Sequence, residues 1–421
     1  MPATALRPDP GAFDQALTTE PPLTSGLAAY ARAVFAGQDL QPAWNALMAR
    51  ATATRADAGA MLDLSTILQL VGQREQGLAL QADALARHRR YRRVVGTGQG
   101  PRLLALVAAG DLMASTPVDF LLSGWNGVLD LMFVAPGEQA TIAIPEHDVA
   151  LIAVGESDAN ASLLDSLGAA VAAWPKPMLN GAAGAIRNLC RDRAPSYLAG
   201  LPGLDAPPAL RITRAQLATL GLSGVPLGDV LPGRTFPVLL RPVDSHAGAG
   251  LEKLETSAEI AGYLGRQPGE LFYLTPFVDY AGPDGRFRKL RVALVDGRPF
   301  LAHLAVSEHW MVHYLNAGMA ESADKRAEEA AMMASFDDGF ARRHARAFAA
   351  IHQAFGLDYM ALDCAEGRDG GLLVFEADTA MIVHDMDPPD LYPYKAPAMR
   401  KLMAAFQAMI AARAELAEKL A

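Results

Sequence analysis

Three stretches in the second half of this 421-residue sequence carry side chains whose types and spacing suit them to chemistry. In the first, Phe236-Pro-Val-Leu-Leu-Arg241-Pro-Val-Asp-Ser245-His246-Ala-Gly248-Ala-Gly250, an apolar strand delivers a guanidinium into a turn of small residues. Glycines let backbone N–H groups approach phosphate oxygens, and arginine pairs with phosphate bidentately. A glycine-rich hairpin with no ligand would read the same way. In the second stretch, Gly285–Gly297, strand alternation puts Lys289, Arg291 and Ala293 on one face. Two cations on an otherwise apolar strand need an anionic partner, unless the strand lies at a solvated edge. In the third, Asp363 ends a short apolar run, and Glu376 and Asp378 follow at alternate positions of another strand. Three hard oxygen donors from neighbouring strands suit Mg²⁺, with nucleotide phosphates completing the shell. Ion pairs between these carboxylates and the basic strand are the alternative.

Between the second and third stretches runs His303-Leu-Ala-Val-Ser307-Glu308-His309-Trp310-Met-Val-His313-Tyr314-Leu-Asn316. His309 and His313 stand four apart, but no carboxylate scaffold accompanies them as a Zn²⁺ site would require. His303, His313 and, beyond the acidic stretch, His384 are instead candidates for substrate recognition, with loop packing as the alternative.

The elements that must position these groups can be read from periodicity. Residues 23–93 are helical in pattern, rich in alanine and leucine. Met61, Leu64, Ile67 and Leu68 recur at helical spacing, Gly72 interrupts, and Leu78, Ala82, Leu85 and Ala86 resume. This is the pattern of a tetratricopeptide-type helix pair, although a plain helical bundle reads equally well. The glycine-rich Val94–Pro101 precedes a strand rather than a helix start, so it reads as a linker and not a phosphate loop. Apolar runs at Leu103–Ala108, Leu129–Val134 (broken only by Asp130) and Val149–Val154 suit a parallel sheet. Thr116-Pro117 opens a helix between the first two runs, and Ser157–Ala173 forms another after the third. Ala206-Pro207-Pro208 looks like a hinge. Beyond it, strands are expected at Phe236–Leu240, Phe272–Leu274, Lys289–Val295 and Leu372–Phe375, with helix over Ala320–Phe355. The last stretch, Ala396–Leu420, aligns Met399, Leu402, Met403, Phe406, Met409 and Ile410 on one helical face.

Composition narrows the function class. A net charge of −9 argues against a nucleic-acid partner, which would require a basic face. The basic run Arg87-His88-Arg89-Arg90 with Arg92 and Arg93 follows a helical stretch and reads as a solvated helix end. Cys190 and Cys364 cannot build a disulfide framework and lack metal-ligand spacing. No window has the roughly 20 apolar residues of a membrane span, and residues 1–22 lack a signal-peptide core, so the cytoplasm is the expected compartment.

Taken in order, RPVDSHAGAG, LTPFVDY, RKLRVALVDG, NAGM, LDYMALDC and LLVFEAD resemble the ATP-grasp superfamily, especially its glutathione-synthetase-like branch. That branch runs from a "KP…G" strand and loop through a hinge, an "RVLVVDG" strand and an "N-A-G" segment to a "GID…EIN" metal motif. The resemblance covers Ala206–Lys395. It implies an ATP-grasp domain (206–421) preceded by a small doubly wound α/β domain (95–205) and an all-α N-terminal domain (1–94), an α/β (α+β) chain overall. It further implies ATP and Mg²⁺ as cofactors and Asp363, Glu376 and Asp378 as metal ligands. Arg241 would stand for the nucleotide-binding lysine, aided by Lys289, with Ser245, His246, Gly248 and Gly250 in the mobile loop. Thr275, Phe277 and Val278 would form the adenine hinge, Arg291 would steady the transferred phosphoryl group, and Asn316 would lie near metal and substrate. The implied reaction is ATP-dependent carboxylate–amine (or thiol) ligation through an acyl phosphate, on an amino acid or peptide, and a homodimer is a further expectation. An ATP-grasp small-molecule kinase and a nucleotide-regulated peptide-binding protein are the competing expectations. Two departures stand out: arginine replaces lysine at 241, which keeps the charge but not the geometry, and aspartate replaces asparagine at 378.

Overall fold

A computed structural model describes residues 20–53, 56–137, 144–222, 225–243, 245 and 248–420. The chain forms two compact units. One comprises 1–187, 357–360 and 379–421, the other 188–356 and 361–378.

The first unit opens with four helices, α1 (Leu27–Phe35), α2 (Gln41–Ala51), α3 (Ala58–Leu70) and α4 (Arg74–Arg87). Asp57 caps α3 by accepting from the Gly59 and Ala60 amides at 2.9 and 3.2 Å. The α3–α4 turn relies on Gly72 at φ 82°, a region that non-glycine residues rarely enter. Met61, Leu64 and Ile67 are buried as their spacing requires. Gly77 lets α4 approach α3 closely, because a Cβ there would meet the Ser65 carbonyl at 2.9 Å.

The basic run is not a helix end. After α4 stops at Arg87, Arg90–Val95 is strand β1, antiparallel to β3 (Gly127–Val134). The reason is period two. Arg92 lies opposite Asp130 in register and pairs with it bidentately at 2.8 and 2.8 Å, while the next residue, Arg93, is ion-paired with Asp119. The same pair explains why an aspartate interrupts an apolar strand. Replacing Asp130 by alanine should lower the unfolding free energy by about 3 kcal/mol, because a half-buried guanidinium loses its partner. A urea melt of the variant checks this.

Strands β2 (Arg102–Ala108), β3, β4 (Val149–Ile152) and β5 (Met178–Leu179) run parallel in the order β3-β2-β4-β5, with β1 at the edge beside β3. Every residue of β4 is buried, as continuous apolar runs in a parallel sheet demand. The helix after β2 is only Val118–Leu121, and Thr116 does not cap it, its hydroxyl making no hydrogen bond. The long helix Lys395–Leu420 belongs to this unit, and all six residues of its expected stripe are buried.

The second unit contains two sheets. One is antiparallel, with β7 (Leu210–Thr213), β10 (Leu271–Pro276), β8 (Val238–Pro242) and β9 (Glu252–Leu254) in that order. The other has the order β12 (Arg298–Ser307), β11 (Phe287–Val295), β13 (Tyr359–Glu366), β14 (Leu372–Asp378) and β6 (Leu204–Asp205). The expected helix over Ala320–Phe355 is two helices, Ala323–Ser335 and Ala345–Phe355, parted by a π-type turn at Asp337–Ala341. Asp363 lies within β13 rather than at its end, and the strand continues to Glu366.

Candidate active site

The second unit encloses a cavity of about 630 Å³ reached by side chains from both of its sheets. Of the sequence candidates, Arg241, Gly248, Thr275, Phe277, Val278, Lys289, Arg291, His313, Asn316, Asp363 and Glu376 line it. His246 lies outside the described residues.

Strand geometry aims the charged groups. Lys289 and Arg291 share a face of β11, and both reach Asp363 on β13. Lys289 Nζ lies 3.0 Å from Oδ2, while Arg291 Nε and Nη2 lie 2.8 and 3.1 Å from Oδ1 and Oδ2. Burial alone would raise the Asp363 carboxyl, but Arg291 and Lys289 outweigh it and hold the group far below the usual carboxylate range. Glu376 lies directly opposite Asp363 in the β13–β14 register. The register shifts by one residue between Asp363 and Cys364, leaving Phe375 as an extra residue on β14. This bulge is why four consecutive residues, Val374 to Ala377, all line the cavity where strict alternation would send two of them away. A second register shift, at Arg291/Val292 on β11, adjoins the other half of the site.

Glu376 is ion-paired with Arg191. Burial pushes its carboxyl up, yet Arg191 and Arg241 keep it ionised in spite of repulsion from Asp363. Arg241 donates from Nε to Ser245 Oγ at 3.1 Å and also binds the Ser245 carbonyl, so the cation grips the turn that follows its own strand. Burial, then the neighbouring Arg191, pushes Arg241 down to about 10. Gly248 and Gly250 adopt φ 79° and 65°, and the Tyr263 hydroxyl donates to the Gly250 carbonyl at 3.0 Å. The turn therefore needs its glycines.

Four cations (Arg191, Arg241, Lys289 and Arg291) thus converge on two carboxylates in one cavity. The excess of positive charge calls for a polyanion, and the arginines offer planar forks for phosphate oxygens. The two carboxylates are hard donors on facing register positions, both held ionised, which fits Mg²⁺ when phosphate oxygens complete the shell. Asp378 lies two residues further along β14, opposite Ala361. Among the described residues no three His, Cys, Asp or Glu side chains form a ready-made metal cluster, and this also applies to His309 and His313.

An aromatic wall closes another side of the cavity. Phe277 and Trp310 meet edge to face at 5.7 Å, and Lys253 Nζ lies 4.2 Å from the Phe277 ring centre. The Tyr280 hydroxyl donates to the Trp310 carbonyl at 2.7 Å, which ties the 307–316 segment to the strand end after β10. The Thr275 hydroxyl donates to the Pro208 carbonyl at 2.8 Å. His313 is pushed down by burial and by Lys289 and Arg291, so near neutrality it faces the cations uncharged. His303 is not part of the lining, and its ring packs on Tyr314 at 4.6 Å. His384 belongs to the first unit, near Phe35 and Phe120 at 5.7 and 6.2 Å. Arg191 and Tyr280 were not among the sequence candidates, and Trp310 was named only within the polar and aromatic run. Only Trp310, set within the polar and aromatic run, had a local signal. Arg191 lies in a segment with no pattern of its own.

No family model matches this chain, and no curated protein does. Among solved structures it is similar to a RimK-domain ATP-grasp protein from Sphaerobacter thermophilus, at 16% identity and a TM-score of 0.39 over 73% of this chain and 99% of that one. It is also similar to the VanG D-Ala:D-Ser ligase from Enterococcus faecalis (10% identity, TM-score 0.44, 74% of this chain and 100% of that one). A third, D-cycloserine synthetase DcsG, aligns at 15% identity and a TM-score of 0.39, over 73% and 99% of the two chains.

Proposed function

We propose that this chain is an ATP- and Mg²⁺-dependent ligase of the ATP-grasp kind, acting on a carboxylate of an amino acid or peptide. The observation that carries the reading is the convergence of Arg191, Arg241, Lys289 and Arg291 around the adjacent, ionised Asp363 and Glu376. Asp363 and Glu376, with Asp378 as a third candidate, would hold Mg²⁺, which when bound would neutralise phosphate charge during transfer. Arg241 and Arg191 would bind the polyphosphate and Lys289 would add a point charge. Arg291 would stabilise charge developing on the transferred phosphoryl group. The Phe277–Trp310 wall offers the base a flat apolar surface.

In the proposed reaction a substrate carboxylate oxygen attacks the γ-phosphorus of ATP and the bond to the β-bridging oxygen breaks, giving an acyl phosphate and ADP. An amine then attacks the acyl carbon and displaces phosphate, losing a proton. Neutral His313, facing the cavity beside Asn316, is placed to accept that proton. The protein's own contribution is positioning and a preset electrostatic field.

The test is ADP release from Mg·ATP across a panel of amino acids and short peptides. Glu376→Gln should lower turnover by about 100-fold or more. Melting curves will show whether the variant is folded at assay temperature. Turnover that survives in Glu376→Gln would remove the basis of the metal assignment. A stable phosphorylated product formed with no amine present would redirect the reading to a kinase.

A further inference from the structure

The helix Ala323–Ser335 buries a lysine and a glutamate, Lys325 (8% exposed) and Glu329 (0%), one turn apart on one face. A helix that only packs buries apolar residues there, because a charge taken out of water is costly unless it is bonded. Lys325 also stands in the first turn, the end of a helix whose dipole disfavours a cation. Both charges are bonded, and to the same segment. Glu329 accepts from the Leu304 amide at 3.0 Å, which fixes the carboxylate to β12, and from the Tyr314 hydroxyl at 2.9 Å. Lys325 Nζ donates to the Ala317 carbonyl and to Glu308 Oε2, both at 2.8 Å. The pair therefore grips both ends of the short 3₁₀ helix Tyr314–Asn316.

What they grip is one wall of the large cavity. His313 and Asn316 line it, while Tyr314 between them does not. The Tyr314 hydroxyl is taken by Glu329, and its ring packs on His303 at 4.6 Å. His303 in turn lies opposite Arg291 in the β11–β12 register, so the anchor is set one strand away from a cation of the site. Trp310 has a tie of its own through Tyr280, which leaves the far end of the segment to Lys325 and Glu329.

We propose that Lys325 and Glu329 are positioning residues, a two-point clamp that holds the Tyr314–Ala317 turn so that His313 and Asn316 face the reacting groups. The catalytic consequence rests on the ligase reading. A fixed His313 takes the amine's proton as phosphate leaves. In a loose segment water attacks the acyl carbon instead, phosphate leaves, the carboxylate is restored and ATP is consumed without an amide. The experiment compares Tyr314→Phe and Lys325→Met with the full parent chain by two measurements. Hydrogen exchange read by mass spectrometry needs no turnover. The peptide 308–319 should exchange about tenfold faster in each variant, the effect of one lost hydrogen bond, with a smaller change in β10 and β13. Amide formed per ADP released should fall by about 10–100-fold, the effect of a misplaced catalytic group, with KM for Mg·ATP within about twofold of the parent. Loss of folded protein lowers both products together and leaves that ratio alone. Exchange in 308–319 that is unchanged, or that rises no more than in β10, overturns the clamp. Faster local exchange with the parent's amide-to-ADP ratio overturns its catalytic role. A parent chain that forms no amide with any substrate removes the ligase reading, and the exchange result then decides the clamp by itself.

Discussion

Replacing Asp363 by asparagine should lower the unfolding free energy by about 3–5 kcal/mol and abolish ATP turnover. The side chain is about 5% exposed and holds both Lys289 and Arg291. Removing its charge leaves two half-buried cations facing each other with only a weak dipole between them, the costly way to break an ion pair. The pH dependence gives a second signature. The folded carboxyl titrates far below its unfolded value, so its stabilisation is present above the unfolded carboxylate range near 4. It is then lost progressively as pH falls through and below that range towards the folded value. The acid limb of the stability curve should therefore be shallower in the variant than in the parent. Urea melts between pH 2 and 7 measure both effects. An unchanged stability at pH 7 would mean that the cations find another partner.

Replacing Arg241 by glutamine should act in the opposite direction on stability. Burial and the neighbouring Arg191 push the folded guanidinium down to about 10, below its ordinary range, so at neutral pH its charge opposes folding. The sign follows from linkage. A base whose folded value is depressed destabilises the fold below that value, and the penalty is relieved as pH climbs above about 10. The uncharged variant should melt a few degrees higher at pH 7, in spite of losing the contacts with Ser245. Its affinity for Mg·ATP should fall by about 10–100-fold, the worth of charge-assisted hydrogen bonds to phosphate. Thermal melts with and without Mg·ATP read both quantities. A lower melting temperature with unchanged nucleotide affinity would make Arg241 a clamp for the turn and nothing more.

Much of the site was legible because its signals are local. Lys289 and Arg291 share a face through the two-residue period of a strand, and both reach one carboxylate. The glycines at 248 and 250 follow from the backbone they must adopt, and the six-residue stripe of the last helix follows from its 3.6-residue period. Other features needed distant partners. Whether Arg87–Arg93 ends a helix or forms a strand depends on Asp130, which lies opposite Arg92 only once the sheet has formed. Phe375 is displaced from the ladder by a register shift that no pattern within β14 announces, and that shift brings Glu376 into the same cavity as Phe375. Arg191 joins the site from a segment with no periodic signal of its own, drawn there by Glu376. By itself the sequence determined which residues carry charge and which face of each element they occupy, because alternation and helical spacing are properties of the local backbone. Only the tertiary structure decided which charges meet, because a buried ion pair forms between side chains far apart in the chain, where strand register places them within reach.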